Sequence, residues 1–434
     1  MCDNSWNKFL NHQALKFNLT NAQTRVFLTR FARQNWLKRI EDIWEFADVA
    51  SCESFVRHST NIYAVFKTLP NGCDQLPKRP GAGSFPILRD WLLAEFQRSP
   101  YPNDTSESTY LQRSPVAMEC YQTILQSGAL IRIKAPSKMG KTSLLNHLLS
   151  ATNTQNYRTV HINLLQVERD KFNSLDGFLR WFSIYISDAL NLDFKLDEFW
   201  DADRGSMLSC TRYLEMLLQE SDRPLVLGLD EVDRLFEYPE ISQDFFYLLR
   251  SWHEEANNNE LWEQLRLIVV YSTENFGKLD IDRSPFNVGL PIELKSFTLS
   301  EIKNLAQLYQ LNLSDTQVEQ LIEILGGHPY LIKLAISHLI NHPDLSLEEI
   351  LQQAATDTGI YNSYLLELLL NIRSNPQLTQ AFLQVLQSDR PLQIDTLLAY
   401  QLYRMGLIQW TNKGDRIFPS CQLYRLYFLP RLDR

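Results

Sequence analysis

The spacing of apolar residues predicts a small all-α region at the start of the chain. Thr20 and Gln23 have the form of a capping box that begins a first helix, in which apolar residues recur at helical intervals. Two further helices are predicted, one over residues 37–44 and one that begins near Ser51 and continues to about residue 67. Three short helices of this kind predict a helix-turn-helix-like N-terminal module.

Beyond residue 120 the pattern changes to short apolar runs that alternate with helical stretches. Five strands are predicted, at residues 130–134, 158–163, 224–230, 265–271 and 291–294. Strands that alternate with helices favour a parallel sheet with helices on both faces. The predicted fold class of this region is therefore an α/β core.

After residue 297 the pattern is helical almost to the end of the chain. Capping boxes begin at Thr298, Ser314 and Ser346. A helix over residues 395–404 is then followed by two short strand-like segments, at residues 408–410 and 416–418. This succession predicts a helical lid and then a winged helix.

Stretches rich in Pro, Gly and Ser, at residues 70–86 and 99–109, interrupt these patterns and are interpreted as linkers. The predicted layout is an N-terminal module at 1–98, a linker at 99–118, an α/β core at 119–297, a lid at 298–380 and a winged helix at 381–434.

Composition narrows the class of protein. With 434 residues, 44% of them hydrophobic and 21% charged, the chain is typical of globular proteins and long enough for several domains. No apolar run approaches the ~20 residues that span a bilayer, and the N-terminus lacks the apolar segment of a secretory signal. The six cysteines are scattered without a CxxC pair, which favours reduced thiols in a cytoplasmic protein.

Charge is distributed unevenly. Residues 1–98 contain 13 Lys and Arg and 9 Asp and Glu, which gives them a net charge of +4. The net charge of the whole chain is −9, so the remaining residues carry a net charge of −13. A basic module on an acidic body permits contact with nucleic acid through the module alone. A solvated surface explains the same balance.

The loop after the first predicted strand has the Walker A form, with Lys141 and Thr142 after a glycine. Lys141 is expected to reach the β- and γ-phosphates of a nucleotide, and Thr142 to donate its hydroxyl oxygen to Mg²⁺. Ala135 replaces the usual first glycine, so the turn there must not need a positive φ. The residues predicted to bind the cofactor in this loop are Ala135, Pro136, Ser137, Lys138, Met139, Gly140, Lys141, Thr142 and Ser143.

The strand at 224–230 has the Walker B form because an apolar run ends in Asp230 and Glu231. Asp230 is expected to hold Mg²⁺ through water, and Glu231 to activate the attacking water. Asp233 is predicted to cap the next helix or to lie in solvent.

Other residues are candidates for assisting roles. Thr273, or Ser272 beside it, follows a strand expected between the Walker strands and is a candidate contact for the γ-phosphate or water; capping a turn is the alternative. Thr273 joins Lys141 and Glu231 as a predicted catalytic residue. Arg250 and Arg283 are candidate arginine fingers in trans, or ordinary surface arginines.

The turn at residues 326–329 joins two helices of the predicted lid. Its two glycines allow a sharp turn and close approach to a ligand, and Pro329 is suited to the first position of a helix. His328 and Pro329 are predicted to contact the adenine and ribose. A plain connection between helices is the alternative.

Taken in order, five segments resemble the AAA-like domain proteins of bacteria, chiefly cyanobacteria. These segments read APSKMGKTS, LVLGLDEVDRLFEYPE, IVVYSTE, SPFNVGLPIEL and GGHPYLI. The resemblance runs from about Ser114 to the C-terminus. AAA-like domain proteins belong to a wider P-loop group that includes STAND signalling ATPases, archaeal ATPases and origin-recognition-type proteins. It implies a P-loop core, a helical lid and a winged helix that respond to bound ATP or ADP with Mg²⁺.

The N-terminal module resembles a LuxR-type helix-turn-helix, although its second helix, at residues 40–43, lacks the usual small residue. A protein-interaction module is the alternative. Three functions are then open: an ATP-driven switch in signalling, conflict defence or transcription control that can form a homo-oligomer; a protein that holds nucleotide as a structural cofactor; or a DNA-binding regulator. Glu231 favours some hydrolysis, so a slow ATPase is expected.

Overall fold

The chain folds into two compact units, Met1–Thr109 and Tyr110–Arg434. The computed structural model describes residues 9–10, 13–14, 17, 19–32, 35, 39–47, 49–68, 73, 76–77, 83–98, 110–111, 113, 115–192, 194–201, 203–272, 284–411 and 413–432. None of the described helices is long and apolar enough to cross a bilayer.

The longer helices in the described part of the first unit are α1 (Asn21–Phe31), α2 (Cys52–Thr68) and α3 (Ser84–Arg98). The predicted capping box is confirmed, because the Thr20 side chain accepts from the Gln23 amide and the Gln23 side chain accepts from the Thr20 amide. Aromatic rings fill the core, with Phe66 5.3 Å from Phe27 between ring centroids.

The predicted second helix is wrong. Residues 40–47 instead form two short 3₁₀ turns, Ile40–Asp42 and Trp44–Ala47. Arg39 precedes the first turn and offers no side-chain cap, and Ile43 leaves the helical region at φ −130°. The middle helix that a helix-turn-helix requires is therefore absent from these residues.

The linker predicted at residues 70–86 is also wrong in part. Cys73, Leu76 and Phe85 are buried in the first core, and α3 already begins at Ser84. The apolar residues in this Pro- and Gly-rich stretch contribute to packing, and the composition of the stretch does not indicate this. The stretch predicted as a linker at 99–109 lies outside the described residues.

The second unit contains a five-stranded parallel sheet in the order β2-β3-β4-β1-β5. The strands are β1 (Leu130–Lys134), β2 (Arg158–Asn163), β3 (Leu225–Asp230), β4 (Leu265–Tyr271) and β5 (Leu290–Glu293). The predicted α/β core is confirmed. Every residue of β3 and β4 is buried, as expected for central strands of a parallel sheet.

Alternating residues of the strands enter two separate cores, one on each face of the sheet. Ile131 and Ile268 pack with α4 (Val116–Ile124) and α5 (Lys141–Thr154). Leu130 and Leu267 pack on the other face. That face is covered by α6 (Leu175–Ala189), α7 (Ser206–Gln219) and α8 (Pro239–Glu255).

The remainder of the chain forms a third core shared by the predicted lid and the predicted winged helix, which are therefore packed together. Its helices are α9 (Leu299–Leu308), α10 (Asp315–Leu325), α11 (Pro329–Asn341), α12 (Leu347–Gln352), α13 (Asn362–Arg373), α14 (Pro376–Gln387), α15 (Thr396–Arg404) and α16 (Gln422–Leu432). The capping boxes at Thr298, Ser314 and Ser346 are all present.

The predicted helix and hairpin near the C-terminus are present. Helix α15 leads into the antiparallel strands β6 (Ile408–Trp410) and β7 (Ile417–Pro419), and a bridge joins Leu392 to Ile417 beside them.

Candidate nucleotide site at the carboxyl edge of the sheet

The Walker A loop connects the end of β1 to the start of α5. Ala135 is buried and does not adopt a positive φ, so alanine meets the condition set by the missing glycine. The left-handed residues of the loop are Lys138, at φ 60°, and Gly140, at φ 94°. Gly140 stands at the N-terminus of the 14-residue helix α5. The free N–H groups and the dipole at this end favour an anion such as a phosphate.

Lys141 lies inside the loop. Its side chain is 6% exposed, and Nζ donates a hydrogen bond to the Pro136 carbonyl at 3.0 Å. Burial lowers the pKa of Lys141, whereas the nearby carboxylates of Glu231, Asp233 and Asp230 act in the opposite direction. The ammonium is therefore held against the loop and faces the acidic end of β3.

Thr142 and Asp230 meet although 88 positions separate them in the chain. The Thr142 hydroxyl donates to Asp230 Oδ2 at 2.8 Å, and the fully buried Asp230 also accepts the Glu231 amide at 3.0 Å. Hydroxyl and carboxylate oxygens are ligands that Mg²⁺ prefers. The paired oxygens next to the phosphate-binding helix therefore fit a magnesium ion that also binds phosphates.

Glu231 follows Asp230 at the same edge of the sheet. It adopts a left-handed conformation at φ 56°, which is unusual for a residue other than glycine. Burial raises the pKa of Glu231, and the neighbouring Lys141 opposes this rise. A carboxylate with a raised pKa beside the site of the phosphates is suited to accept a proton from water.

Asp233 neither caps a helix by its side chain nor lies in solvent, so that prediction is wrong. It is 4% exposed, and its Oδ2 accepts the backbone N–H of Ser272 at 2.7 Å. The bond joins the segment after β3 to the end of β4, and β4 does lie between β3 and β1 as expected. Ser272 is buried at the predicted edge, while Thr273 lies outside the described residues.

The turn at residues 326–329 is packed within the protein. A Cβ on Gly326 would lie 2.2 Å from the Ser420 carbonyl oxygen, and one on Gly327 would lie 2.5 Å from the Phe297 carbonyl oxygen. The two glycines are thus required by neighbouring backbone, and contact of this turn with a ligand stays a prediction. Pro329 occupies the first turn of α11 as predicted.

His328 is 3% exposed, and neither ring nitrogen has a hydrogen-bond partner among the described residues. Burial lowers its pKa to about 4, with a smaller contribution from Lys138. The imidazole is therefore neutral near pH 7. Its predicted contact with the nucleotide stays a prediction.

The geometry agrees with a comparison against protein families. The family model of the AAA-like domain matches residues 98–430. The chain belongs to the AAA-like domain family. The family assignment made from the sequence is confirmed, and the match includes the Walker A loop, β3 and the C-terminal helices.

Several solved structures are similar to this AAA-like domain protein. For the ORC2 protein of Aeropyrum pernix in ADPNP–ADP complexes, identity is 16% and the TM-score 0.45, over 74% of this chain and 93% of that chain. For Cdc6p of Pyrobaculum aerophilum, identity is 15% and the TM-score 0.38, over 75% of this chain and 96% of that chain. For AMPPCP-bound DnaA of Aquifex aeolicus, identity is 16% and the TM-score 0.35, over 56% of this chain and 68% of that chain. No curated protein matches the chain.

Two contacts of the loop with distant residues were not predicted from the sequence. The ammonium of Lys138 lies 4.6 Å from the ring centroid of Tyr330 and 4.4 Å from that of Tyr364, and 3.8 Å from a Glu367 carboxylate oxygen. The carbonyl of Arg404 accepts the Ser137 N–H at 3.0 Å. Both contacts join the loop to residues more than 190 positions away in the sequence, and no pattern of neighbouring residues predicts them.

Arg250 makes two contacts within its own chain. Its guanidinium pairs with Glu254 at 2.5 Å and donates to Asn287 Oδ1 at 2.6 Å. These bonds engage the side chain on the surface of α8 and weaken its candidacy as an arginine finger. Arg283 lies outside the described residues.

Proposed function

We propose that this AAA-like domain protein binds ATP with Mg²⁺ and hydrolyses it slowly. The observation that carries the proposal is the meeting of Lys141, Thr142, Asp230 and Glu231 at the N-terminus of α5. Lys141 supplies a cation for the β- and γ-phosphates, and the Thr142–Asp230 pair supplies oxygens for the metal. Bound Mg²⁺ would neutralise phosphate charge. Glu231 would orient the attacking water and accept its proton.

The first test of this proposal is binding. Lys141→Ala removes the cation, so we expect tight binding of a fluorescent ATP analogue to be lost. Lys171→Ala is the matched control, because Lys171 is a partly exposed lysine of the same unit that pairs with Asp170. Equal affinity in the Lys141 variant and the control would contradict the assignment of the loop.

A second test separates turnover from binding. Glu231→Gln retains shape and hydrogen bonding but accepts no proton, so phosphate release should slow at least ~100-fold while affinity is retained. Glu237→Gln, at the exposed end of the 3₁₀ helix Val232–Glu237 that follows Glu231, is the control. A wild-type protein that binds ATP but releases no phosphate would favour the structural-cofactor function instead.

At the level of the whole chain, we propose a nucleotide-dependent switch of the STAND or AAA type, acting in signalling, conflict defence or transcription control. The support is that the lid and the hairpin region share one core, and that residues of this core region contact the Walker A loop. Tyr364 contacts Lys138 of the loop, and the Arg404 carbonyl accepts the Ser137 N–H. In this proposal the hairpin region is a winged helix, and ATP binding promotes assembly of a homo-oligomer in the cytoplasm.

The N-terminal unit is proposed to recruit DNA or a partner protein. Arg57 is exposed on α2 and is available for such a contact, whereas the ammonium of Lys67 donates to the Leu76 carbonyl within the unit. The missing middle helix makes the mode of binding different from a regular helix-turn-helix. The basic balance of the unit favours DNA.

A further inference from the structure

The side chain of Lys138 extends from the Walker A loop to the predicted lid. Lys138 adopts a left-handed conformation at φ 60°, which is unusual for a residue other than glycine. Its ammonium lies 4.6 Å from the ring centroid of Tyr330, in the first turn of α11, and 4.4 Å from that of Tyr364, in α13. Both distances are within the ~6 Å over which the face of an aromatic ring attracts a cation. One side chain therefore joins the loop to two helices of the lid.

The two rings form a corner that receives the ammonium. Their centroids are 5.2 Å apart and their planes are inclined at 58°, so one cation contacts both rings. Glu367, one turn after Tyr364 in α13, places a carboxylate oxygen 3.8 Å from the ammonium. The Glu367 side chain is 65% exposed, and a solvated ion pair of this kind contributes little. Because the Lys138 side chain is only 34% exposed, the two rings supply most of the attraction.

The ring of Tyr364 is fixed in the core that the lid shares with the hairpin region. Tyr364 is 5% exposed, and its hydroxyl shares a hydrogen bond with the Tyr424 hydroxyl of α16 at 3.1 Å. Lys138 thus contacts an anchored part of the lid. The lid cannot move away from the loop unless the ammonium leaves the rings.

A second contact holds the loop to the C-terminal region, and it does not depend on side chains. The Ser137 N–H donates to the Arg404 carbonyl at 3.0 Å. A substitution at Lys138 leaves this backbone bond in place. The contribution of the Lys138 side chain can therefore be measured by itself.

We propose that Lys138 is a positioning residue that holds the predicted lid against the Walker A loop and so slows the exchange of nucleotide. This inference rests on the proposed binding of ATP. Nucleotide enters and leaves while the lid is away from the loop, and the contact of Lys138 with the rings opposes that movement. Because the contact joins loop to lid and does not involve the nucleotide, it slows entry and release by the same factor and leaves the affinity unchanged. A contact between Lys138 and phosphate would instead slow release alone.

Lys138→Met tests the proposal, because it retains an unbranched side chain but removes the charge. Stopped-flow mixing of the full chain with a fluorescent ADP analogue and Mg²⁺ gives the association rate constant, and displacement by excess ADP gives the release rate constant. We expect both to rise about tenfold, the scale of a cation–π contact partly removed from water, and their ratio to change less than about twofold. Lys171→Met, which alters a partly exposed lysine of the same unit, should change neither rate constant.

Two substitutions of Tyr330 test whether the ring is the partner of the ammonium. Tyr330→Leu removes the aromatic face and should raise both rate constants, whereas Tyr330→Phe keeps the face and should raise neither. Lys138 and Tyr330 act through one contact, so their effects should not add. The double variant Lys138→Met/Tyr330→Leu should therefore exchange nucleotide no faster than Lys138→Met.

The rate constants also show which result would overturn the proposal. If Lys138→Met releases the analogue faster but binds it no faster, Lys138 contacts the phosphates and does not act through the lid. Unchanged rate constants in Lys138→Met, or equal effects of Tyr330→Leu and Tyr330→Phe, would exclude the contact with the rings as a barrier to exchange. In each of these cases the wild type still binds nucleotide, so the proposed function stands. A wild type that binds no nucleotide would overturn both proposals.

Discussion

Acidification should destabilise the second unit through His328. This imidazole is 3% exposed, and burial holds its pKa near 4, against about 6.5 for a histidine in an unfolded chain. Between pH 6.5 and pH 4 the histidine of the unfolded chain binds a proton, whereas His328 of the folded protein does not. Stability is therefore lost as the pH falls through 6.5, and the loss levels off near pH 4.

The size of the loss follows from the two pKa values. At pH 5 the unfolded histidine is almost fully protonated and the folded one almost entirely neutral, which costs about 2 kcal/mol relative to pH 7. Other groups titrate over the same range, so the relevant quantity is a difference between proteins. His328→Gln removes this proton uptake, and any cost of the substitution itself does not depend on pH.

Urea unfolding followed by tryptophan fluorescence at pH 7 and pH 5 measures the effect. Between these pH values the wild type should lose about 2 kcal/mol more unfolding free energy than His328→Gln, with unchanged m-values. His342→Gln, which alters an exposed histidine, should behave like the wild type. Equal losses in the wild type and His328→Gln would contradict this prediction, because they would mean that the folded state protonates His328 as readily as the unfolded chain.

Two other substitutions test contacts within the structure, and a third tests the proposed contact with DNA. Asp233→Ala leaves the buried Ser272 N–H without its acceptor and should cost about 1–3 kcal/mol in urea unfolding, whereas the exposed Asp222→Ala should cost little; equal effects would exclude a role for the bond. Gly326→Ala adds a Cβ 2.2 Å from the Ser420 carbonyl oxygen at φ +63°, whereas Gly414→Ala adds one in open space at φ +68°. Both carry the left-handed cost of about 1–2 kcal/mol, so a melting temperature no lower for Gly326→Ala would contradict the packing of this turn. Arg57→Ala should weaken binding of the full chain to duplex DNA and reduce its salt dependence by about one phosphate contact; affinity that is insensitive to salt would favour a protein partner.

The elements that sequence analysis located correctly are those whose signals lie within a few adjacent residues. β3 is an apolar run that ends in Asp230, and the loop before α5 carries its glycine, lysine and threonine consecutively. Capping boxes such as that at Thr298 need only positions three apart. Such patterns predict both the element and the edge of the sheet at which its polar residues emerge.

The errors arose where local pattern competes with tertiary packing. The apolar spacing of residues 37–44 suits a helix, yet residues 40–47 form 3₁₀ turns, and Arg39 before them makes no side-chain cap. Two glycines in succession indicate a sharp turn, but not that Gly326 and Gly327 face the backbone of Ser420 and Phe297. What approaches a glycine is set by chain segments that are distant in sequence.

The five strands, most of the helices, the family and the residues Lys141, Thr142, Asp230 and Glu231 could be predicted from the sequence, because each of these is encoded by contiguous residues with a known chemical requirement. Three features became evident only in the folded chain: Asp233 holds the end of β4, His328 is buried as a neutral imidazole, and Arg404 meets the loop at Ser137. Arg404 and Ser137 lie 267 positions apart. Hydrogen bonds and burial of this kind depend on which surfaces meet after the chain has folded, and no local pattern of residues records that meeting.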